Sequence, residues 1–278
     1  MFTFGDPGSQ MPYFVSTLAS DMEDLMAITH ARQRISAFAG PVGIGKSRAV
    51  EHFEENRSSE VIVITAKSQP TRTIETLYEI AQAIRRKAGQ SPLVTSSGKS
   101  SLNAAIREAR QQWWTTSLLA QPCGENNRGV RQTLILEEAQ NYAPKTISSI
   151  RYFNDRDNLG LNPLGMIFVG NSEFSLMPSG NGSTPLSLAV ADRMLYRETY
   201  TYAAVTNEDV RRHIEGYGVV PTEVIALMIK NLERLLPRLT DGTSQRSYRN
   251  IDRLLNILAA AAKDGPMTVE AFREAFPK

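Results

Sequence analysis

The sequence predicts an α/β fold, with a parallel sheet flanked by helices, followed by a small all-helical domain. Short apolar runs rich in β-branched residues alternate with segments of helical period through most of the chain. Such alternation is typical of parallel strands joined by crossover helices. From Asn207 onward the strand patterns cease. We therefore expect an amino-terminal arm and helix over 1–30, an α/β domain over 31–205 and a helical lid domain over 206–278.

The elements follow in order from apolar spacing and cap signals. A first helix is expected from about Ser20, with Asp21 as its cap, and a later one over 73–87. A Ser-rich loop over 91–101 precedes a helix over 102–119. The strands are expected at 34–39, 61–65, 133–136, 165–170 and 197–202. The apolar stripe of the 73–87 helix is expected to comprise Ile74, Leu77, Tyr78, Ala81 and Ile84.

The composition is that of an ordinary globular protein, with 41% apolar and 22% charged residues among 278. The formal net charge is only +2, so any contact with nucleic acid must come from a local patch. The single cysteine, Cys123, excludes an internal disulfide. The three histidines share no metal-ligand spacing, and no apolar run is long enough to span a bilayer. These features favour a reducing, cytoplasmic setting without membrane contact.

Residues 40–47 match the phosphate-binding pattern G-x-x-x-x-G-K-[ST] at every position. The glycines let successive backbone N–H groups face phosphate oxygens, and the strand before and helix after aim a helix N-terminus at the anion. Lys46 can reach the β- and γ-phosphates, and the Ser47 hydroxyl can ligate Mg²⁺. The loop therefore predicts a nucleoside triphosphate site made by Gly40, Pro41, Val42, Gly43, Ile44, Gly45, Lys46 and Ser47.

Two acids, Glu137 and Glu138, follow the apolar run 134–136. We assign Glu137 to the metal hydration shell and Glu138 to the general base that polarises the attacking water. Asp is usual at the first position, so Glu137 keeps the charge but changes its reach toward the metal. Asn171 ends the next strand, where it could touch the γ-phosphate or the water. An exposed acidic turn and an ordinary strand-ending turn are the alternatives for these positions.

Three arginines extend the candidate site. Arg193, just before the last strand, could reach a neighbouring subunit's γ-phosphate as an arginine finger, and Arg197 competes for that role. Arg249 opens the final long helix and could fold back onto the nucleotide. A surface salt bridge is the alternative for each of them.

Taken together, the phosphate loop, the strand ending in two acids, the strand ending in Asn171, the arginine and the helical lid resemble the AAA+ ATPases. Within that superfamily the sequence resembles transposition ATPases of the bacteriophage Mu B type. The likeness lies in residues 137–141, 147–155, 165–173 and 249–255. The resemblance implies ATP and Mg²⁺ as ligands, rings or helical filaments of the chain on double-stranded DNA, and a transposase as partner. It also implies a bacterial cell, with the gene carried by a phage or a transposon.

The resemblance implies that such an ATP-dependent assembly marks a target site and recruits or activates the transposase, and that hydrolysis drives release. About thirty residues precede the first strand, so the DNA grip is expected on the ATPase body. Phosphate contacts need exposed cations and hydroxyls on loops, and they carry no sequence code. The candidates are Lys67, Thr71 and Arg72, then Lys99, then Lys145 and Arg151. A solvated polar loop is the alternative for each group.

Two other functions share these motifs. One is a loader or remodeller ATPase that acts on a helicase or another protein client. The other is a nucleotide switch without turnover, in which Glu137 cripples hydrolysis. Length-dependent DNA protection that requires ATP would distinguish the favoured function from the first, and tight ATP binding without phosphate release would indicate the second.

Overall fold

The computed structural model describes residues 14–67, 72–93, 99–119, 131–154, 163–174, 188–263 and 265–277. The chain forms two compact units. One comprises residues 23–39 and 50–199, and we call it the sheet unit. The other comprises residues 1–22, 40–49 and 200–278, and we call it the helical unit.

The sheet unit is built on five parallel strands in the order β2-β3-β4-β1-β5. The first four were predicted within a residue or two, because each is a short, strongly apolar run; β4 is buried along its whole length. The strands are β1 (Ile35–Ala39), β2 (Val61–Thr65), β3 (Thr133–Glu137), β4 (Gly165–Gly170) and β5 (Met194–Thr199).

The register of the strands places their carboxyl ends at one edge of the sheet. Ala39 pairs with Gly170, and Thr65 pairs with Glu137. Since β4 lies between β3 and β1, the residues that follow β3 and β4 are neighbours at that edge. This is the edge where ligands bind in open parallel sheets.

Helices cover the sheet through apolar faces. Ile80 and Ile106 are fully buried in one continuous core with the strand residues. Trp113 is anchored as well, since its indole Nε1 donates a 2.7 Å hydrogen bond to the carbonyl of Ser59. The helices lying wholly in this unit are α3 (Thr73–Lys87), α4 (Lys99–Leu119), α5 (Pro144–Ile150) and α6 (Leu188–Ala191).

The helical unit contains four helices after residue 206, each with an apolar face. Side-chain caps start three of them: Thr206, Ser247 and Thr268 each accept a hydrogen bond from the backbone three residues on. The helices are α7 (Asn207–Glu215), α8 (Thr222–Leu235), α9 (Tyr248–Ala261) and α10 (Val269–Ala275). Two further helices, α1 (Thr17–Arg32) and α2 (Lys46–Glu55), run from this unit into the other.

Several boundaries differ from the expectations. Helix α1 begins at Thr17 instead of Ser20, because Ser16 Oγ accepts from the Ala19 amide at 3.0 Å and caps it. Helix α4 begins at Lys99, and β5 at Met194 because it pairs with Ile35 of β1. Tertiary pairing and capping, which local periodicity does not report, set these ends.

The apolar stripe of α3 was wrong at one position. Ile74 is 46% exposed, whereas Thr76 and Ile80 are buried. The Ile74 side chain therefore points away from the core.

Cys123 and Thr71 lie outside the described residues. Among the helices in the described ranges, none has the length and apolar character needed to cross a membrane.

Candidate nucleotide site

The phosphate loop has the backbone that its sequence demands. It follows β1 directly, and two of its glycines adopt positive φ, +83° at Gly43 and +99° at Gly45. Glycine adopts this region without the clash that a Cβ would cause. Helix α2 begins at Lys46, so its unpaired amide groups lie at the end of the loop, where an anion is favoured.

Lys46 closes the loop on itself. Its ammonium donates to the carbonyls of Gly40 and Pro41, each at 2.8 Å. The charged group is therefore held over the loop and is within reach of anything the loop amides bind. Ser47 is exposed in the first turn of α2. A hydroxyl there suits Mg²⁺, which accepts one protein oxygen beside phosphate and water oxygens.

The start of α9 packs directly on this loop, within the helical unit. The backbone amide of Tyr248 donates to the carbonyl of Gly43 at 2.8 Å. A Cβ added at Gly43 would lie 3.2 Å from the Cβ of Arg249, and one added at Gly45 would lie 3.2 Å from the Tyr248 ring. Arg249 thus stands beside the phosphate loop with an exposed side chain. Its contact with the nucleotide stays a prediction.

An aromatic cluster that sequence reasoning missed adjoins this contact. The Tyr248 ring lies 4.8 Å from the His213 ring and 5.7 Å from the Phe14 ring, centroid to centroid. His213 Nε2 is 2.7 Å from Asp252 Oδ1, which also accepts from the Tyr217 hydroxyl at 3.0 Å. Burial raises the pKa of Tyr248 to about 12, so its phenol stays neutral at working pH. The scattered sequence positions of these five residues gave no local signal.

The two predicted acids belong to the sheet unit and differ in environment. Glu137 is half-buried at the end of β3, and its Oε2 accepts from the Thr65 hydroxyl at 3.2 Å. Glu138 is exposed and adopts a left-handed conformation, with φ 54° and ψ 43°. Such a conformation is uncommon for a residue with a Cβ and often marks a functional position.

Asn171 lies where the sequence placed it, one residue beyond β4. Its side chain is oriented locally: Oδ1 accepts from the Glu173 amide at 2.8 Å, and Nδ2 donates to Glu173 Oε2 at 3.3 Å. Gln140 connects Asn171 to Glu138 through two hydrogen bonds. The Asn171 amide donates to Gln140 Oε1 at 3.1 Å, and Gln140 Nε2 donates to Glu138 Oε2 at 2.5 Å. The sequence analysis did not single out Gln140.

The two finger candidates occupy different positions. Arg193 is half-buried in the short connection between α6 and β5. Arg197 lies within β5, an outer strand of the sheet, and is exposed. The two arginines stay alternatives for the finger role.

The structure brings some of the DNA-binding candidates together. The hydroxyls of Thr73 and Thr146 are 3.0 Å apart, so the amino ends of α3 and α5 meet. The exposed residues Arg72 and Lys145 each directly precede one of these two threonines in the chain. Lys67 is 84% exposed and pairs with Glu79 of α3 at 2.9 Å, and this carboxylate raises the pKa of the lysine.

The remaining candidates are not part of this group. Arg151 follows the other end of α5 and has a buried Nε without a hydrogen-bond partner. Lys99 starts α4, and its side chain, like all of Thr71, is outside the described atoms.

The residues present fit ATP and Mg²⁺ by the chemistry of their donors. The loop offers backbone amides at a helix N-terminus and a lysine for phosphates, and Ser47 offers a hydroxyl for the metal. Two of its three glycines, Gly43 and Gly45, have no room for a Cβ without crowding the start of α9, so the loop is built around backbone atoms. Within the sheet unit, the carboxylate of Glu137 is hydrogen-bonded at the end of β3, and that of Glu138 is exposed.

The five-stranded parallel sheet with this loop after β1 defines a P-loop ATPase of the AAA+ fold. The model of the family described as AAA domain matches residues 29–177, more than half of the chain, so the protein belongs to that family. Membership implies ATP hydrolysis. A search of curated proteins by sequence finds no significant match.

Solved structures show the same fold at low sequence identity. The ORC2 protein of Aeropyrum pernix, in ADPNP and ADP complexes, matches with a TM-score of 0.63 at 13% identity, over 99% of this chain and 72% of that one. Cdc6p of Pyrobaculum aerophilum matches with a TM-score of 0.66 at 15% identity, over 99% of this chain and 71% of that one. The RuvB Holliday junction branch migration motor of Thermotoga maritima matches with a TM-score of 0.51 at 10% identity, over 93% of this chain and 67% of that one.

Proposed function

We propose that this protein is an ATP-dependent DNA-binding ATPase that assembles on duplex DNA, with hydrolysis as the step that releases it. Lys46 and the loop amides bind the β- and γ-phosphates, and Arg249 contacts the nucleotide from α9. Ser47 and Glu137 hold Mg²⁺, which would neutralise charge on the phosphates. Glu138 takes the proton of the attacking water, and Asn171 orients that water or the γ-phosphate.

The DNA-binding part of the proposal is carried by one observation, the contact between the hydroxyls of Thr73 and Thr146. Arg72 and Lys145 directly precede the two threonines, and both side chains are exposed, which supports a shared surface for the two cations. Two cations at adjoining helix N-termini suit consecutive phosphates of a DNA backbone. Glu75 and Glu79 lie on the same helix, so the patch is mixed in charge and its affinity is expected to be moderate and strongly salt-dependent.

We further infer that the assembly selects a target for DNA transposition and recruits or activates a transposase. The support is the resemblance of residues 137–141, 147–155 and 165–173 to the Mu B type. If the protein contacts only the phosphates of the DNA, its choice of target should be nearly independent of the DNA sequence. The RuvB neighbour is named as a motor for Holliday junctions, which makes DNA a reasonable partner for this fold.

The test measures DNA binding and ATP turnover on the same samples. Fluorescence anisotropy with duplexes of increasing length, in ATP, ADP or no nucleotide, reports assembly; negative-stain microscopy reports its form. The proposal expects length-dependent binding only with ATP, together with stimulated hydrolysis. Glu138→Gln should assemble and persist, whereas Lys46→Ala should fail to assemble.

A pair of charge-matched double variants tests the patch. Arg72→Ala with Lys145→Ala should weaken DNA binding and reduce its salt dependence by about two counterions. Lys230→Ala with Arg273→Ala removes the same charge from exposed sites on α8 and α10 and should change neither. Equal effects of the two pairs would refute the patch. If DNA alters neither assembly nor turnover, DNA regulation is refuted and a protein client, as for a helicase loader, becomes the function to test.

A further inference from the structure

The side chain of Gln140 joins the two catalytic candidates at the sheet edge. Its amide oxygen accepts from the backbone N–H of Asn171 at 3.1 Å, and its amide nitrogen donates to Glu138 Oε2 at 2.5 Å. Gln140 is half-buried, in the short turn 139–141 that follows Glu138. The oxygen of this amide therefore bonds a residue that follows β4, and its nitrogen bonds a residue that follows β3.

The orientation of this amide follows from its partners. A backbone N–H is only a donor, so the atom of Gln140 facing Asn171 must be the oxygen. The NH₂ group then necessarily faces the Glu138 carboxylate, which accepts. A hydrogen bond to an ionised carboxylate is stronger than one between neutral groups.

Among the described residues, Gln140 is the hydrogen-bond partner of the Glu138 side chain. The backbone of Glu138 adopts the left-handed region, and its side chain is exposed. An exposed glutamate has several rotamers of similar energy, and ordering it costs conformational entropy. A general base must nevertheless lie within hydrogen-bond reach of the water it activates.

We propose that Gln140 is a positioning residue for ATP hydrolysis: it holds the Glu138 carboxylate in one place relative to the end of β4. The inference rests on the proposed function, since it takes Glu138 as the base. It adds that a shift of the backbone at Asn171, beside the proposed γ-phosphate contact, would move the Glu138 carboxylate through the Gln140 side chain. Gln140 itself touches no reacting atom.

Three substitutions separate positioning from packing. Gln140→Ala removes the amide, and Gln140→Met keeps the volume without the amide. Gln140→Glu keeps the shape and one acceptor for the Asn171 amide, but sets a negative charge against Glu138. Gln112→Ala, at an exposed glutamine of α4, is the matched control.

The measurements are kcat and KM for ATP, with and without duplex DNA, and the ATP dissociation constant by calorimetry. Positioning predicts that Ala and Met at 140 lower kcat by about tenfold and leave KM and the dissociation constant within about twofold. Glu at 140 should lower kcat further than Met, although it is the closer match in shape. The control should behave as wild type, and thermal melting checks that each variant is folded.

Wild-type kcat in the Ala and Met variants would overturn the inference, and so would a Glu variant at least as active as Met, or an effect confined to KM. If Ala fails to fold, the comparison of Met with Glu decides alone. A wild-type protein without turnover, with or without DNA, overturns the proposed function and this inference together. Turnover in the wild type with unaffected variants overturns this inference only.

Discussion

The backbone amide of Tyr248 donates a 2.8 Å hydrogen bond to the carbonyl of Gly43, and so fastens the start of α9 to the phosphate loop. The two residues are far apart in the sequence, yet they form one contact within the helical unit. Because the bond joins backbone groups, no substitution removes it directly except proline at position 248, which has no backbone N–H. Substitutions act on it through the conformation of the loop.

Gly45→Ala tests that conformation. Gly45 has φ +99°, and a Cβ there would lie 3.2 Å from the Tyr248 ring. We expect a loss of about 1–2 kcal/mol in the free energy of unfolding from the backbone term alone, together with weaker ATP binding. Urea denaturation and calorimetry measure the two effects.

Gly218→Ala is the matched control, since Gly218 has φ +68° but open space around a Cβ. It should show a similar backbone cost with unchanged ATP affinity. If Gly45→Ala also left ATP affinity unchanged, the loop would not be the nucleotide site that we propose.

Lys46→Ala removes the ammonium that lies over the loop. The lysine donates to two carbonyls of its own loop at 2.8 Å. Because both carbonyls belong to the loop itself, we expect its removal to lower the free energy of unfolding only slightly and to weaken phosphate binding strongly. We expect ATP affinity to fall about 100-fold, which corresponds to about 2.7 kcal/mol. Calorimetry with ATP measures it, and Lys230→Ala on α8, which removes an exposed lysine, should bind like wild type. An affinity loss below about twofold would contradict the assignment.

Asp209→Ala tests how the amino-terminal segment is held. The Asp209 carboxylate is 1% exposed; Oδ1 accepts from the Thr17 amide at 2.8 Å, and Oδ2 accepts from the Thr206 amide at 3.0 Å and hydroxyl at 2.8 Å. Removing it leaves several partly buried donors without this acceptor. We expect a loss of about 2–4 kcal/mol in the free energy of unfolding, measured by urea denaturation.

Glu208→Ala is the control one residue away. It pairs only with Arg211 and Arg212 at the surface and should cost less than about 0.5 kcal/mol. Equal losses at both positions would mean that the Thr17 contact does not contribute.

A subunit-mixing experiment decides between the finger candidates. If Arg193 acts on a neighbour's nucleotide, Arg193→Ala alone should bind ATP without turnover, and so should Glu138→Gln alone. Mixed together they should regain activity, because some sites then combine an intact base with an intact arginine. Steady-state phosphate release measures this. Recovery with Arg197→Ala and none with Arg193→Ala would transfer the role to Arg197.

The pH dependence of stability should carry a contribution from Glu60. The hydrogen bond from His30, whose Nε2 is 3.3 Å away, is the main reason that the pKa of Glu60 is lowered from its usual 4.5. A carboxyl whose pKa is lower in the folded state stabilises the protein above the unfolded pKa, and this stability is lost as the pH falls through the folded pKa.

Glu60→Gln should therefore flatten the decline of the urea midpoint below about pH 4.5, by less than about 1 kcal/mol because the pair is partly exposed. Midpoints measured at pH 7 and across the acid range test this. A decline of unchanged steepness in the variant would show that other carboxyls account for it.

The elements that the sequence predicted best are those with a strong local pattern. Strand β4 and helix α3 begin and end where expected, because a buried run and an amphipathic period are complete within one segment. The start of β5 was missed since its pairing with Ile35 is a property of the sheet. Likewise, Ile74 fits the apolar period of α3 but is exposed, whereas Thr76 in the same turn is fully buried.

The sequence by itself determined the phosphate loop, the two acids after β3 and Asn171 after β4, since each needs particular residue types at fixed neighbouring positions. Only the tertiary structure decided that Gln140 links Glu138 to Asn171, that Tyr248 bonds Gly43, and that Thr73 contacts Thr146. These relationships join segments distant along the chain. Their geometry depends on the order of strands and the packing of helices, which no local spacing encodes.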